Sequence, residues 1–152
     1  LAARLRQDGM AYLPFGDALG GRPREAGRYR DGVADYAAMA RRPEFRSGLD
    51  RLCAAAAEHY VCLMCAEREP LDCHRCLLVA RALAARGFRI GHILHDGNVE
   101  PHAATERRLL ELAGDDDDLF ATGQNERIAA AYRRRARAVA YRAKANTTGP
   151  SR

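Results

Sequence analysis

Residues 60–94 read YVCLMCAEREPLDCHRCLLVARALAARGFRIGHIL. The opening YVCLMC (residues 60–65) is a continuous short apolar run, the pattern of a strand buried on both faces. AEREPLD is a polar turn. Asp72 is placed to cap the helix CHRCLLVARALAAR, residues 73–86, which Gly87 closes. FRIGHIL, residues 88–94, is a second buried strand. Strand, helix and strand in this order predict a βαβ unit with a right-handed crossover. The expected fold class is therefore α/β: three layers, with a mostly parallel sheet flanked by helices.

Upstream, LAARLRQDG is the end of a helix closed by Gly9, and MAYLPF is a short strand broken by Pro14. GDALGGRPREAGRYRDG is a loop and VADYAAMA a short helix. Pro43 suits the first turn of PEFRSGLDRLCAAAAEH. There Phe45, Leu49, Leu52, Cys53 and Ala56 repeat on one apolar face, which makes Cys53 a core residue. Downstream, a polar loop leads to the helix HAATERRLLELAG. Asp115–Asp118 form a solvated acidic turn. NERIAAAYRRRARAVAYRA is a basic helix with Ile128, Tyr132 and Val139 along one side. The expected organisation is an α/β domain over residues 1–112, an acidic turn at 113–118, a basic helical extension at 119–144 and a disordered tail at 145–152. The chain opens on Leu1, and residues 1–7 resemble helix interior, so the first strands of the sheet are expected to be missing.

A chain of 152 residues suits one domain. Apolar residues make up 47% and Trp is absent, so Leu, Ala, Val and Ile carry the packing. The net charge of +5 permits contact with nucleic acid or anionic ligands without requiring it. No apolar run reaches the roughly 18 residues of a membrane span, and no secretory leader is present. Five cysteines, four of them clustered, fit reactive or metal-binding thiols in a reducing, cytoplasmic setting.

In parallel sheets, ligands sit beyond the carboxyl ends of the strands. That rule gathers Cys65 and Glu67 after one strand, Cys73, His74 and Arg75 at the helix start, His92 and His95 on the next strand, and the Gly20-Gly21-Arg22 loop. The positive end of the helix favours a thiolate, which makes Cys73 the better nucleophile and Cys65 its partner. Glu67 and His74 are candidates for proton transfer. Arg75 offers a planar donor fork for phosphate or carboxylate. Gly20, Gly21, Arg22, His92 and His95 complete a candidate ligand site. His92 reads equally well as a core histidine, and His59 and His102 read as ordinary surface residues.

The double C-x-x-C also suggests tetrahedral zinc, or iron, held by Cys62, Cys65, Cys73 and Cys76. On a strand, however, Cys62 and Cys65 point to opposite faces. Cys62 and Cys76 therefore read as packing. Arg133, Arg134 and Arg137 give a nucleic-acid alternative, without the aromatic interleaving of a single-strand platform.

The strand ending in Cys65-Ala66-Glu67, the helix opened by Cys73-His74-Arg75, and the later Arg86-Gly87 and His92-Ile93 together resemble a bacterial family, domain of unknown function 488. Tyr12, the Leu19-Gly20-Gly21 loop and YRDGVADYAAMARRPEF resemble it too, so the likeness covers roughly residues 1–112. The resemblance implies two further leading strands, with T-I-G-H-S-like and D-V-R-like motifs, which this sequence does not contain. It carries over Cys65, Glu67, Cys73, His74 and Arg75, but not Cys62 or Cys76. It implies no settled activity, only a loose association with DNA repair. Two expectations follow: an enzyme with a Cys/Glu/His/Arg site for an anionic or nucleotide-like small ligand, or a non-catalytic module that binds metal or nucleic acid.

Overall fold

The computed structural model describes residues 1–114 and 123–143. In chain order it has helices α1 (Ala2–Gln7) and α2 (Gly16–Leu19), strands β1 (Tyr29–Arg30) and β2 (Val33–Ala34), and helices α3 (Tyr36–Ala40) and α4 (Pro43–Glu58). A π-helical segment, Arg75–Ala80, then runs into α5 (Arg81–Ala84). Strands β3 (Gly91–Ile93) and β4 (Val99–Pro101) and helices α6 (His102–Ala113) and α7 (Gln124–Val139) follow. The architecture mixes helix and strand, with helix dominant.

The longer helices form where the sequence places them, but α2 (Gly16–Leu19) lies inside the stretch read as a loop, and Val33–Ala34, read as the start of a helix, pair as strand β2. Asp35 caps α3 by accepting the Ala38 N–H at 3.0 Å. Pro43 opens α4, whose Phe45, Leu49 and Leu52 turn into the core. Cys53 on the same helix is half-buried against that core. Helices α6 and α7 pack on each other, and Leu109, Ala131 and Tyr132 join the same core. The basic helix expected as an extension thus shares the interior of the rest. Beyond it, the Tyr141 carbonyl accepts the Ala34 N–H at 2.9 Å, tying the chain back to β2. The acidic run Asp115–Asp118 and the 145–152 tail lie outside the described residues.

The strands differ from expectation. The described residues form two separate two-stranded antiparallel sheets, β1 with β2 and β3 with β4, and no parallel sheet. Residues 60–65 pair with no strand, and Tyr60 and Met64 are 109% and 64% exposed. MAYLPF is likewise unpaired, with Met10, Tyr12 and Leu13 exposed. An apolar run becomes a strand only when a neighbour satisfies its backbone N–H and C=O groups. Among the described residues neither run has one.

FRIGHIL becomes one arm of a hairpin, not a crossover strand. Gly97, at φ +85°, makes the turn that an L-residue would resist. Asp96 accepts the Asn98 N–H at 3.0 Å, and Leu94 donates to the Asn98 carbonyl at 2.8 Å. The Asp96-Gly97 pair is the hairpin signal in a stretch that otherwise reads as a polar loop. Asp72 does not cap the following helix: it is exposed and pairs with Arg135 of α7. Glu69 caps the separate 3-10 turn Pro70–Asp72, accepting the Leu71 N–H at 3.2 Å, and the helix that follows has no side-chain cap.

Candidate functional site

Two clusters of chemically capable side chains flank the π-helical segment. The first is the one the sequence singles out. The polar turn 66–72 folds back, so that Cys65, Glu67, Cys73 and His74 converge with one ligand atom each, all within 4.8 Å of one another. The Cys65 and Cys73 sulfurs are paired, with their α-carbons 7.6 Å apart. Glu67 sets Oε2 3.6 Å from the Cys73 sulfur, which also accepts the Arg75 N–H at 3.2 Å. Cys73 is fully buried, whereas Cys65 is only half-buried. Cys65 is therefore the more exposed residue of the pair, whereas the helix-end argument favours Cys73.

The site sits at a loop-to-helix turn, not on the edge of a sheet. Arg75 donates from its guanidinium to the Leu63 carbonyl at 3.2 Å, which holds the incoming chain against the helix. Arg108 braces the same turn by pairing Glu69 and Glu100, both at 2.9 Å. Burial lowers the His74 pKa; Arg75 and Arg22 push the same way and Glu67 opposes them. Burial also raises Tyr36 to about 12, with the Glu67 charge adding to it. Tyr36 is a neighbour of the site that sequence reading did not find.

Gly21 lies against His74. A Cβ on Gly21 would lie 2.7 Å from both Cβ and Cγ of His74. Gly21→Ala is therefore expected to cost about 1–3 kcal/mol through overpacking and to displace the imidazole. Urea denaturation would read the first effect, and the His74 ring resonances the second. Arg22 is exposed and stacks over Tyr141 at 5.1 Å, within reach of His74 only through its field.

His92 and His95 do not join this cluster. His95 is exposed and lines a small cleft with Arg68, Glu69 and Arg108. His92 belongs to the second cluster, with Cys76 and His102, whose ligand atoms also lie within 4.8 Å of one another. The four thiols of the double C-x-x-C are thus not brought together: Cys62 is exposed, and Cys76 faces His92 with its sulfur 3.8 Å from Nε2. Cys62 is not packing, and His102, expected on the surface, is only 7% exposed. The cause is the hairpin. Its register sets His92 opposite Glu100 and starts α6 directly beside it. The signal was the Asp-Gly pair, which folds residues 91–93 back onto 99–101.

Burial and the neighbouring His102 push His92 down to about 4, and burial lowers His102 as well. Both imidazoles are therefore neutral in the folded protein at neutral pH. In the unfolded chain they protonate near pH 6.5. A folded pKa below the unfolded one gives stability that is complete above pH 6.5 and is lost as pH falls toward about 4. The unfolding midpoint is expected to drop across that window, and His92→Gln should flatten the drop. Thermal denaturation at a series of pH values checks this.

A cleft of about 760 Å³ lies beside Tyr36 and Tyr132 and is rimmed by Arg30, Arg41, Arg81, Arg133, Arg134 and Arg137. Arg137 pairs with Asp31 at 2.6 Å, and Arg134 donates to the Ala113 carbonyl. Two of the three arginines expected to contact nucleic acid thus also hold this protein's own chain. No described helix is long and apolar enough to cross a membrane.

A mixed helical domain with a Cys-x7-Cys pair, a carboxylate and an imidazole at a loop-to-helix turn defines the class. The family model "Domain of unknown function DUF488" matches residues 1–82, more than half of the 152-residue chain. The chain belongs to that family. The match contains Cys65, Glu67, Cys73, His74 and Arg75, and it ends before His92 and His102. No curated protein and no solved structure matches the chain.

Proposed function

We propose that Cys65, Glu67, Cys73 and His74 form the catalytic site of a thiol–disulfide enzyme acting on a small anionic disulfide. The observation that carries this reading is the pairing of a half-buried cysteine with a buried one beside a carboxylate and a backbone N–H. In the dithiol form, Cys65 thiolate attacks one sulfur of the substrate disulfide. A Cys65–substrate bond forms, the substrate S–S bond breaks, and the leaving thiolate takes up the proton that neutral His74 had accepted from the Cys65 thiol. Glu67 then accepts the Cys73 proton, and Cys73 attacks the Cys65 sulfur. The protein disulfide forms, the Cys65–substrate bond breaks, and the second substrate thiolate leaves with the proton held by Glu67. The substrate is reduced by two electrons, the protein is oxidised, and a small dithiol returns it to the starting state.

Before the attack, the Arg75 N–H supports the Cys73 thiolate. Arg22, the remaining Arg75 donors and the arginine-rimmed cleft beside Tyr36 supply the positive potential that favours an anionic substrate. The test is turnover of a carboxylate-bearing aromatic disulfide with dithiothreitol as reductant. Saturable turnover supports the reading, and a rate equal to that of dithiothreitol alone sinks it.

A second reading has its own observation. The Cys65–Cys73 α-carbon separation of 7.6 Å exceeds the usual disulfide range of about 4.4–6.8 Å. Two thiolates, a carboxylate and an imidazole within 4.8 Å also suit a tetrahedral zinc or iron ion. One equivalent of metal in the purified protein, lost in Cys65→Ser/Cys73→Ser, would favour this non-catalytic centre.

A further inference from the structure

We infer that Cys76, His92 and His102 form a separate, buried zinc site. None of its three ligands belongs to the thiol site proposed above. They come from different elements, namely the π-helical segment, β3 and the first turn of α6. Cys76 is fully buried, and His92 and His102 are 3% and 7% exposed. π-Helical turns are rare and concentrate at functional sites, and this one presents Cys76 to the two rings.

The lone pairs are already aimed inward. His102 turns Nε2 away from the cluster, to the Tyr132 hydroxyl at 3.2 Å and Glu106 Oε1 at 3.6 Å. Tyr132 itself donates to Glu106 at 3.0 Å. With its proton given to Glu106, the Tyr132 hydroxyl can only accept from His102, which fixes the His102 proton on Nε2 and leaves Nδ1 as the free lone pair. That atom lies 2.8 Å from His92 Nε2, which in turn is 3.8 Å from the Cys76 sulfur. A hydrogen-bonded outer nitrogen, here held by the Tyr132 hydroxyl and through it by Glu106, is the usual support of a histidine ligand.

Without a metal, His92 must donate to His102 from the nitrogen that faces Cys76, so the thiol proton finds no acceptor on His92. A zinc ion uses all three atoms. Bonds of about 2.0–2.1 Å to nitrogen and 2.3 Å to sulfur in a tetrahedron set the nitrogens about 3.3 Å apart and the sulfur about 3.6 Å from each. The sulfur is already near that distance from His92 Nε2, at 3.8 Å, and the two nitrogens, now 2.8 Å apart, need to part by only about 0.5 Å. Zinc enters as the dication, displaces the Cys76 thiol proton to solvent and leaves a fourth position for water.

The test uses the full chain carrying Cys65→Ser/Cys73→Ser, which removes the thiol site and leaves this one intact. After chelator treatment and dialysis, zinc chloride is titrated in, and cobalt chloride in a parallel sample. The expected result is one equivalent bound, a rise in the unfolding midpoint, and a sulfur-to-cobalt charge-transfer band that Cys76→Ser removes. Glu106→Gln and Tyr132→Phe keep all three ligands and are expected to weaken zinc binding about 10- to 100-fold. They decide the matter even where Cys76→Ser fails to fold. No binding in the double variant, or zinc affinity unmoved by both Glu106→Gln and Tyr132→Phe, would overturn the site. Metal lost with Cys65 and Cys73 alone would instead place it in the first cluster.

Discussion

Serine at either Cys65 or Cys73 is expected to lower catalysed disulfide exchange about 10³-fold or more, to the rate of the reductant alone. The two variants should fail differently. Cys65→Ser removes the attacking sulfur, so no mixed disulfide forms. Cys73→Ser leaves Cys65 able to attack but removes the thiol that resolves the intermediate, so a Cys65–substrate adduct accumulates and mass spectrometry detects it. Glu67→Gln keeps both sulfurs and should cost about 10²-fold through loss of the base beside Cys73. A structural role for the pair predicts otherwise: both serine variants would lose stability, neither would trap substrate, and Glu67→Gln would leave turnover unchanged.

Phe45→Ala is expected to destabilise the protein by about 3–5 kcal/mol. Phe45 is 1% exposed and sits on α4 with Leu49 and Leu52, facing the core that also receives α3 and α6. The lost transfer energy and the cavity left behind add together, because helices pinned elsewhere collapse only partly around the gap. With Trp absent and few aromatics, little nearby bulk is available to refill it. The urea midpoint should fall with an unchanged slope.

The first cluster was largely legible in the sequence because it is local. Cys65, Glu67, Cys73 and His74 lie within ten residues, so a single turn at 66–72 suffices to bring them together. Gly21 was legible as a loop glycine, but its contact with His74 was not. The second cluster spans Cys76 to His102 and is supported by Tyr132 from α7, so nothing in its spacing announces it. Cys76 read as packing and His102 as surface because each was judged from its own neighbours along the chain.

Whereas the short α2 arose in a stretch read as a loop, the positions of the longer helices were determined by the sequence alone. Their periodic apolar faces and their capping or terminating residues (Asp35, Pro43, Gly87) act within a few residues of chain. Strand pairing was decided only by the tertiary structure. YVCLMC and MAYLPF carry strand composition, but a strand takes its hydrogen bonds from a distant segment, and among the described residues no strand pairs with them. FRIGHIL found its partner through the Asp96-Gly97 turn, and that antiparallel pairing carried His92 to His102. Local chemistry thus placed the thiols, while long-range backbone pairing placed the buried imidazoles.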